Sequence, residues 1–145
     1  MPEKTAIERA REDAREGKSP STQAGEFVRE VIGDIRKGKH GARSAKQAIA
    51  IGFSKARRAG VELPPPKEGD AATRHKAKLD LQHSKKRKKP SAKRSRATTQ
   101  ALKRETTASA STKALAQQAK TAARKRSPKQ RSAAAKKAAR TRARG

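Results

Sequence analysis

The sequence has no cysteine, tryptophan or tyrosine. Without cysteine there is no disulfide framework, no thiolate nucleophile and no thiolate metal site. Phe27 and Phe53 are the only aromatic residues, and both fall on helix faces that read as inner. That removes the stacking platforms on which single-strand and RNA-reading folds depend. Long apolar runs are missing too: Ala48 to Phe53, the longest, is far too short to span a bilayer. The start, MPEKTAIERARED, has no apolar stretch of the signal-peptide kind. A soluble cytoplasmic protein with no membrane partner is expected. Acidic residues are scarce, 13 against 40 Lys plus Arg, for a formal charge of +27.

What is present divides unevenly. Of 16 Met, Ile, Leu, Val and Phe residues, twelve lie in 1–66 and four in 67–145. Residues 1–66 carry 14 basic and 9 acidic residues, and residues 67–145 carry 26 and 4. The second half therefore lacks the large apolar side chains that offset chain entropy. The expectation is an all-α protein in two parts: a small domain of two to three helices, residues 1–66, and a largely disordered, partly helical basic tail, residues 67–145. A charge this far from zero repels itself in the absence of a polyanion, which points to DNA, RNA or an acidic surface.

Three helices are legible in the first part. Residues 4–16 read as a charged helix with Ile7, Ala10 and Ala14 as its apolar stripe and Gly17 as its stop. Ser19 followed by Pro20 fits an N-cap and a proline at the first helical position. Phe27, Val28, Val31, Ile32 and Ile35 then recur as one apolar face, and Gly38 closes that helix. Ser44 to Gln47 is a capping-box pattern. The inner face that follows is Ala45, Ala48, Ile49, Gly52, Phe53 and Ala56, small enough for close helix contact. Gly60 and Leu63–Pro64–Pro65–Pro66 form a stiff boundary. REGK at 15–18, RKGK at 36–39 and RRAG at 57–60 read as repeated helix-ending chemistry. Beyond residue 67 the sequence is alanine-rich and basic, with transient helix the expected state.

SPSTQAGEFVRE at 19–30, KHGARSAKQAIAIG at 39–52 and SKARRAGVELPPP at 54–66 resemble a family of short bacterial proteins of unknown function. ALKRE at 101–105 and the stretch near 114–124 fit the same pattern. AAAKKAARTRARG, with Ser127–Pro128–Lys129, is similar to the tails of linker histones and bacterial histone-like proteins. That resemblance implies a shared mode of binding. KKRKK at 85–89 also resembles a nuclear import signal.

No catalytic constellation is visible. Gly17–Lys18–Ser19 is a fragment of a phosphate-binding loop, but Glu12 stands where the first glycine belongs and no strand precedes it. His40, His75 and His83 have no neighbour at metal-ligand spacing. Glu26, Glu30 and Asp34 line one helix face, which reads as solvated; the sharper reading has them docking the basic tail. Capping accounts for Ser19 and Ser44. The expectation is no enzyme, no cofactor and no metal.

The basic residues carry the functional reading. At RKGKHGARSAKQAIAI, residues 36–51, a glycine-containing basic loop opens onto a helix start, where free N–H groups attract anions. Lys39, Arg43, Ser44 and Lys46 are the candidate phosphate contacts. GARSAKQAI is similar to the second half of helix-hairpin-helix motifs, although two residues, not one, separate the glycines. In the tail the candidates are Lys85, Lys86, Arg87, Lys88, Lys89, Lys93, Arg94, Arg96, Arg124, Lys125, Arg126, Lys129, Arg131, Lys136, Lys137, Arg140, Arg142 and Arg144. Such residues bind a polyanion through counterion release. The expectation is non-sequence-specific nucleic-acid binding, with DNA favoured over RNA, as in histone-like compaction of a nucleoid. The alternatives are an RNA- or ribosome-associated protein, or a protein-interaction or self-association module that the tail only localises.

Overall fold

A computed structural model describes residues 4–67, 70–86 and 91–144. Among the described residues the chain forms seven α-helices and no strand. They are α1 Ala6–Arg15, α2 Pro20–Arg36, α3 Ala45–Arg58, α4 Ala71–Lys86, α5 Ala92–Lys103, α6 Thr112–Lys125 and α7 Pro128–Arg144. A short 3-10 turn, Ala108–Ala110, lies between α5 and α6.

The first three helices start and stop where local chemistry directs. Thr5 and Glu8 form a reciprocal capping box on α1. The Ser19 hydroxyl accepts the Thr22 N–H of α2, with Pro20 at the first position. The Ser44 hydroxyl accepts the Gln47 N–H at 3.1 Å. The Gln47 side chain reaches one residue further back than a capping box requires and accepts the Arg43 N–H at 2.5 Å. All three helices end on a glycine with positive φ: Gly17, Gly38 and Gly60. Each end has the paired bonds of a Schellman turn, such as Gly38 N–H to Ile35 O and Lys39 N–H to Asp34 O, both 3.0 Å.

The turns explain the repeated motif. A Schellman turn brings the residue after the glycine against a residue of the last helical turn. At DAREGK and DIRKGK that contact is ionic: Lys18 Nζ meets Asp13 at 3.1 Å and Lys39 Nζ meets Asp34 at 3.4 Å. Carboxylates at Glu16 and Asp13 raise the Lys18 ammonium above its ordinary value. At the third end the same positions are Ala56 and Val61, and both are buried in the core.

Two apolar clusters hold α1–α3. Ala6, Ala10, Ala24, Phe27, Ala56 and Val61 form one, with Phe53 and Leu63 against it. Val31, Ile35, Ala42, Ala48 and Ala110 form the other, with Ile32 and Ile51 against it. In α1 the inner residues are Ala6 and Ala10, and Ile7 is 44% exposed. Residue spacing locates a stripe but not which edge of it meets a neighbour, and here the alanine edge permits the closer approach. Helices α2 and α3 cross at Gly52, where an added Cβ would lie 2.7 Å from Val28 Cα. Gly52→Val is therefore expected to force the helices apart at a cost of about 1–3 kcal/mol. A lower urea midpoint checks this; an unchanged midpoint contradicts the close crossing.

The expected disordered tail is corrected by the structure. Helices occupy 71–86, 92–103, 112–125 and 128–144. Alanine does the packing at α4 and at the 108–110 turn, whereas α5, α6 and α7 bury no residue and rest on alanine-rich helix propensity. Ala77 and Ala110 are 3% and 0% exposed, and Asp80 and Ser109 are also buried. The helices also have caps. Asp70 accepts the Thr73 N–H at 2.8 Å on α4, and Ser111 accepts the Ala114 N–H at 3.1 Å on α6. Ser127 and Gln130 cap α7 reciprocally.

Hydrogen bonds from Thr73 hold the Asp70 carboxyl below its ordinary value of 3.8, helped by the charges of Lys46 and Arg74. A depressed folded-state value means that this cap acts at neutral pH and is lost as pH falls below that ordinary value. The protection of the Thr73 amide relative to its intrinsic exchange rate is expected to fall once acid protonates Asp70. Hydrogen exchange followed across that range checks it, and Asp70→Asn should flatten the response.

Candidate nucleic-acid interface

The loop ahead of α3 is bound from within. Gly41 N–H donates to Leu102 O at 2.8 Å and Ala42 N–H to Thr106 O at 2.9 Å. Arg36 Nε–H donates to Ala110 O at 2.9 Å, and Ala110 enters the core beside Val31 and Ile35. Residues 102–111 thus clasp the loop, and the nearest carbonyl leaves no room for a side chain at Gly41. The loop's two glycines have structural causes: Gly38 takes the positive φ of a helix end, and Gly41 permits a backbone contact.

This placement determines what the loop offers an anion. The Gly41 and Ala42 amides are committed to carbonyls. The Ser44 hydroxyl is a cap, and Lys39 is paired with Asp34. Arg43 and Lys46 remain exposed, and the charge of Lys46 reaches Asp70 at the start of α4.

The larger basic surface is C-terminal. Lys93, Arg94 and Arg96 lie on α5, Arg124 and Lys125 close α6, and Arg126 follows them. Lys129, Arg131, Lys136, Lys137, Arg140, Arg142 and Arg144 lie on α7. All of these are exposed, and none forms an ion pair among the described residues. Lys85 and Lys86 are exposed at the end of α4. Arg87, Lys88 and Lys89 lie outside the described residues. On α7, Lys129, Lys136, Arg140 and Arg144 follow a spacing of 7, 4 and 4 residues, which is one stripe of an α-helix.

The acidic residues are spent locally. Glu12 pairs with Lys4, Glu26 with Arg9, Asp13 and Glu16 with Lys18, and Asp34 with Lys39. Among the described residues the row Glu26, Glu30 and Asp34 forms no ion pair with the C-terminal helices, and two of its members are held by cations of the first half. Among residues 91–144, Glu105 is the one acidic residue.

A groove of about 990 Å³ runs between α3, α4 and α5. Its floor includes Ala50, Ile51 and Phe53, and Leu63 and Leu102 add apolar surface. Lys39, Lys55, Arg57, Arg58, Lys76 and Arg94 line it, with Asp34 as its carboxylate. Arg57 is buried and donates to Leu63 O and Pro64 O, both at 3.1 Å, which folds the proline segment back on α3. Burial lowers the Arg57 guanidinium from its ordinary value, and the charge of buried Asp80 opposes that shift. Nothing local in the sequence marks the clasp, because it works through contacts distant in the chain.

Phe27 is buried, and Phe53 is half-buried against the first cluster. His40 Nδ1 lies 2.9 Å from Gly41 O, and His75 and His83 are exposed on α4. Among the described residues no group of three His, Cys, Asp or Glu side chains is placed to hold a metal. No described helix is long and apolar enough to cross a membrane.

The fold and its surface define an all-helical chain with a tightly crossed α2–α3 pair and an exposed basic C-terminal half. Residues 15–67 match a family of unknown function (DUF6496). The matched segment holds α2, α3 and the proline boundary, and it ends before α4. No curated protein and no solved structure matches the chain.

Proposed function

We propose that this protein binds nucleic acid without sequence specificity, with duplex DNA as its main partner and compaction of a bacterial nucleoid as the setting. The observation that carries this reading is the state of the cations in residues 91–144. There are 17 of them, all exposed and opposed by Glu105 alone. A polyanion relieves their mutual repulsion, and release of its condensed counterions drives binding. Contacts of this kind grip phosphates and carry no base information. DNA is favoured over single-stranded RNA because Phe27 is buried and Phe53, half-buried on α3, stands alone, so there is no run of aromatic faces on which successive bases could stack. Helices α1–α3 and the clasp act as the packed base, the exposed cations of α5, α6 and α7 supply the main contacts, and Arg43 and Lys46 are secondary phosphate contacts.

A salt-graded mobility shift tests this, using the full-length protein, two unrelated duplexes and a structured RNA competitor. The expected result is steep salt dependence, equal affinity for the two duplexes and weaker competition by RNA. Failure to shift duplex DNA at low salt overturns the proposal.

A further inference from the structure

We propose that the groove between α3, α4 and α5 is a docking site for an acidic amphipathic helix of a partner protein. The walls do not match. Helix α5 turns Arg94, Ser95, Thr98 and Thr99 toward it, while α3 supplies Ala50, Ile51 and Phe53. Polar side chains opposite an apolar floor do not close on it, and a cavity of about 990 Å³ remains. Helix α5 buries no residue in sealing it. An occupant with an apolar face fills that space.

Charge complementarity selects the kind of helix. The groove has six Lys and Arg residues around one carboxylate, Asp34, and that carboxylate is already paired with Lys39. Lys55, Arg58 and Arg94 have no acidic partner among the described residues. On α3 the lining runs from Gln47 to Arg58, about 16 Å at 1.5 Å per residue, or three helical turns. That length suits anchors at i, i+4 and i+7 on a docked helix with carboxylates at its edges. Duplex DNA offers only isolated thymine methyl groups, recessed in its major groove, and no continuous apolar face for the floor.

The probe is a labelled designed helix of about four turns, with leucines on one face and glutamates elsewhere. The control is a scrambled peptide of equal composition. Anisotropy is read with the full-length protein at about 300 mM salt, which screens the exposed C-terminal cations. The amphipathic peptide is expected to bind about tenfold or more tightly than the scrambled one. Ala50 is exposed on the floor, so Ala50→Glu should abolish that preference and Ala50→Lys should keep it. Thr98→Glu on the opposite wall should act as Ala50→Glu does, should the latter disturb α3. Equal binding of the two peptides overturns the proposal, as does retention of the preference in both glutamate variants. Loss of duplex binding in those variants with no peptide preference assigns the groove to nucleic acid, which also overturns it. The peptide and duplex readouts are separate, so this proposal and the nucleic-acid reading stand or fall independently.

Discussion

Between about 50 and 200 mM salt the full-length protein is expected to lose about 10³–10⁵-fold in affinity for duplex DNA, the range for 6–10 neutralised phosphates. The expected log–log slope is about −5 to −9, at roughly 0.9 per contact. The 17 exposed cations of residues 91–144 exceed that number of contacts, so geometry sets the count. Helix α7 is the sharpest place to test it. Its stripe of Lys129, Lys136, Arg140 and Arg144 has no acidic neighbour on the helix. Replacing those four by glutamine keeps helix propensity and is expected to reduce the slope by about 3–4 units. Two duplexes of unrelated sequence should respond alike, because phosphate contacts do not read bases. A slope unchanged by the four substitutions would show that this stripe of α7 does not touch the backbone.

Gly41→Val is expected to produce the largest loss of stability of any single substitution considered. Its Cβ would stand 2.1 Å from Glu105 O and 2.6 Å from Thr106 O. Both are backbone atoms, so no side chain can swing aside. Relief requires opening the clasp, which breaks Gly41 N–H to Leu102 O and Ala42 N–H to Thr106 O. Each such bond contributes about 1 kcal/mol net. Ala110 is fully buried in the second cluster and leaves it when the clasp opens. A total near 3 kcal/mol follows, with a fall in Tm on the order of 10 °C. Gly33→Ala is the control, since nothing lies within 4 Å of an added Cβ there. Being inside α2, it is expected to stabilise by about 0.5–1 kcal/mol. Thermal melts followed by circular dichroism distinguish the two, and a Gly41→Val melt equal to wild type would refute the clasp.

Sequence reading succeeded where the cause is local. Ser19, Ser44, Gly17, Gly38 and Gly60 mark helix ends because a hydroxyl or a positive φ acts within a few residues. The face of Phe27, Val31 and Ile35 is legible because three large apolar residues admit one orientation. It failed where small residues decide. Of the stripe Ile7, Ala10 and Ala14 on α1, Ala10 is buried, but Ile7 and Ala14 are exposed and Ala6 takes the inner place. The second half looked unable to pack, yet Ala110 is buried as completely as Val31 and Ala77 nearly so. Alanine is ambiguous in a sequence: it is a good helix former on a solvated surface and a good spacer in a close contact. The candidate loop shows the same limit. Its glycines and cations suit a phosphate cradle, but its Gly41 and Ala42 amides face carbonyls of residues 102–106.

The sequence by itself determined the all-helical class, the helix ends and the concentration of charge in the second half, since each follows from nearby residues or from composition. Only the tertiary structure decided that residues 102–111 clasp the loop before α3, that Arg57 meets the proline segment, and that a groove stays open beside α5. Backbone carbonyls and alanine methyl groups make the clasp, across 74 positions in the case of Arg36 and Ala110. Every residue has a carbonyl, and alanine occurs throughout this chain, so neither announces its partner.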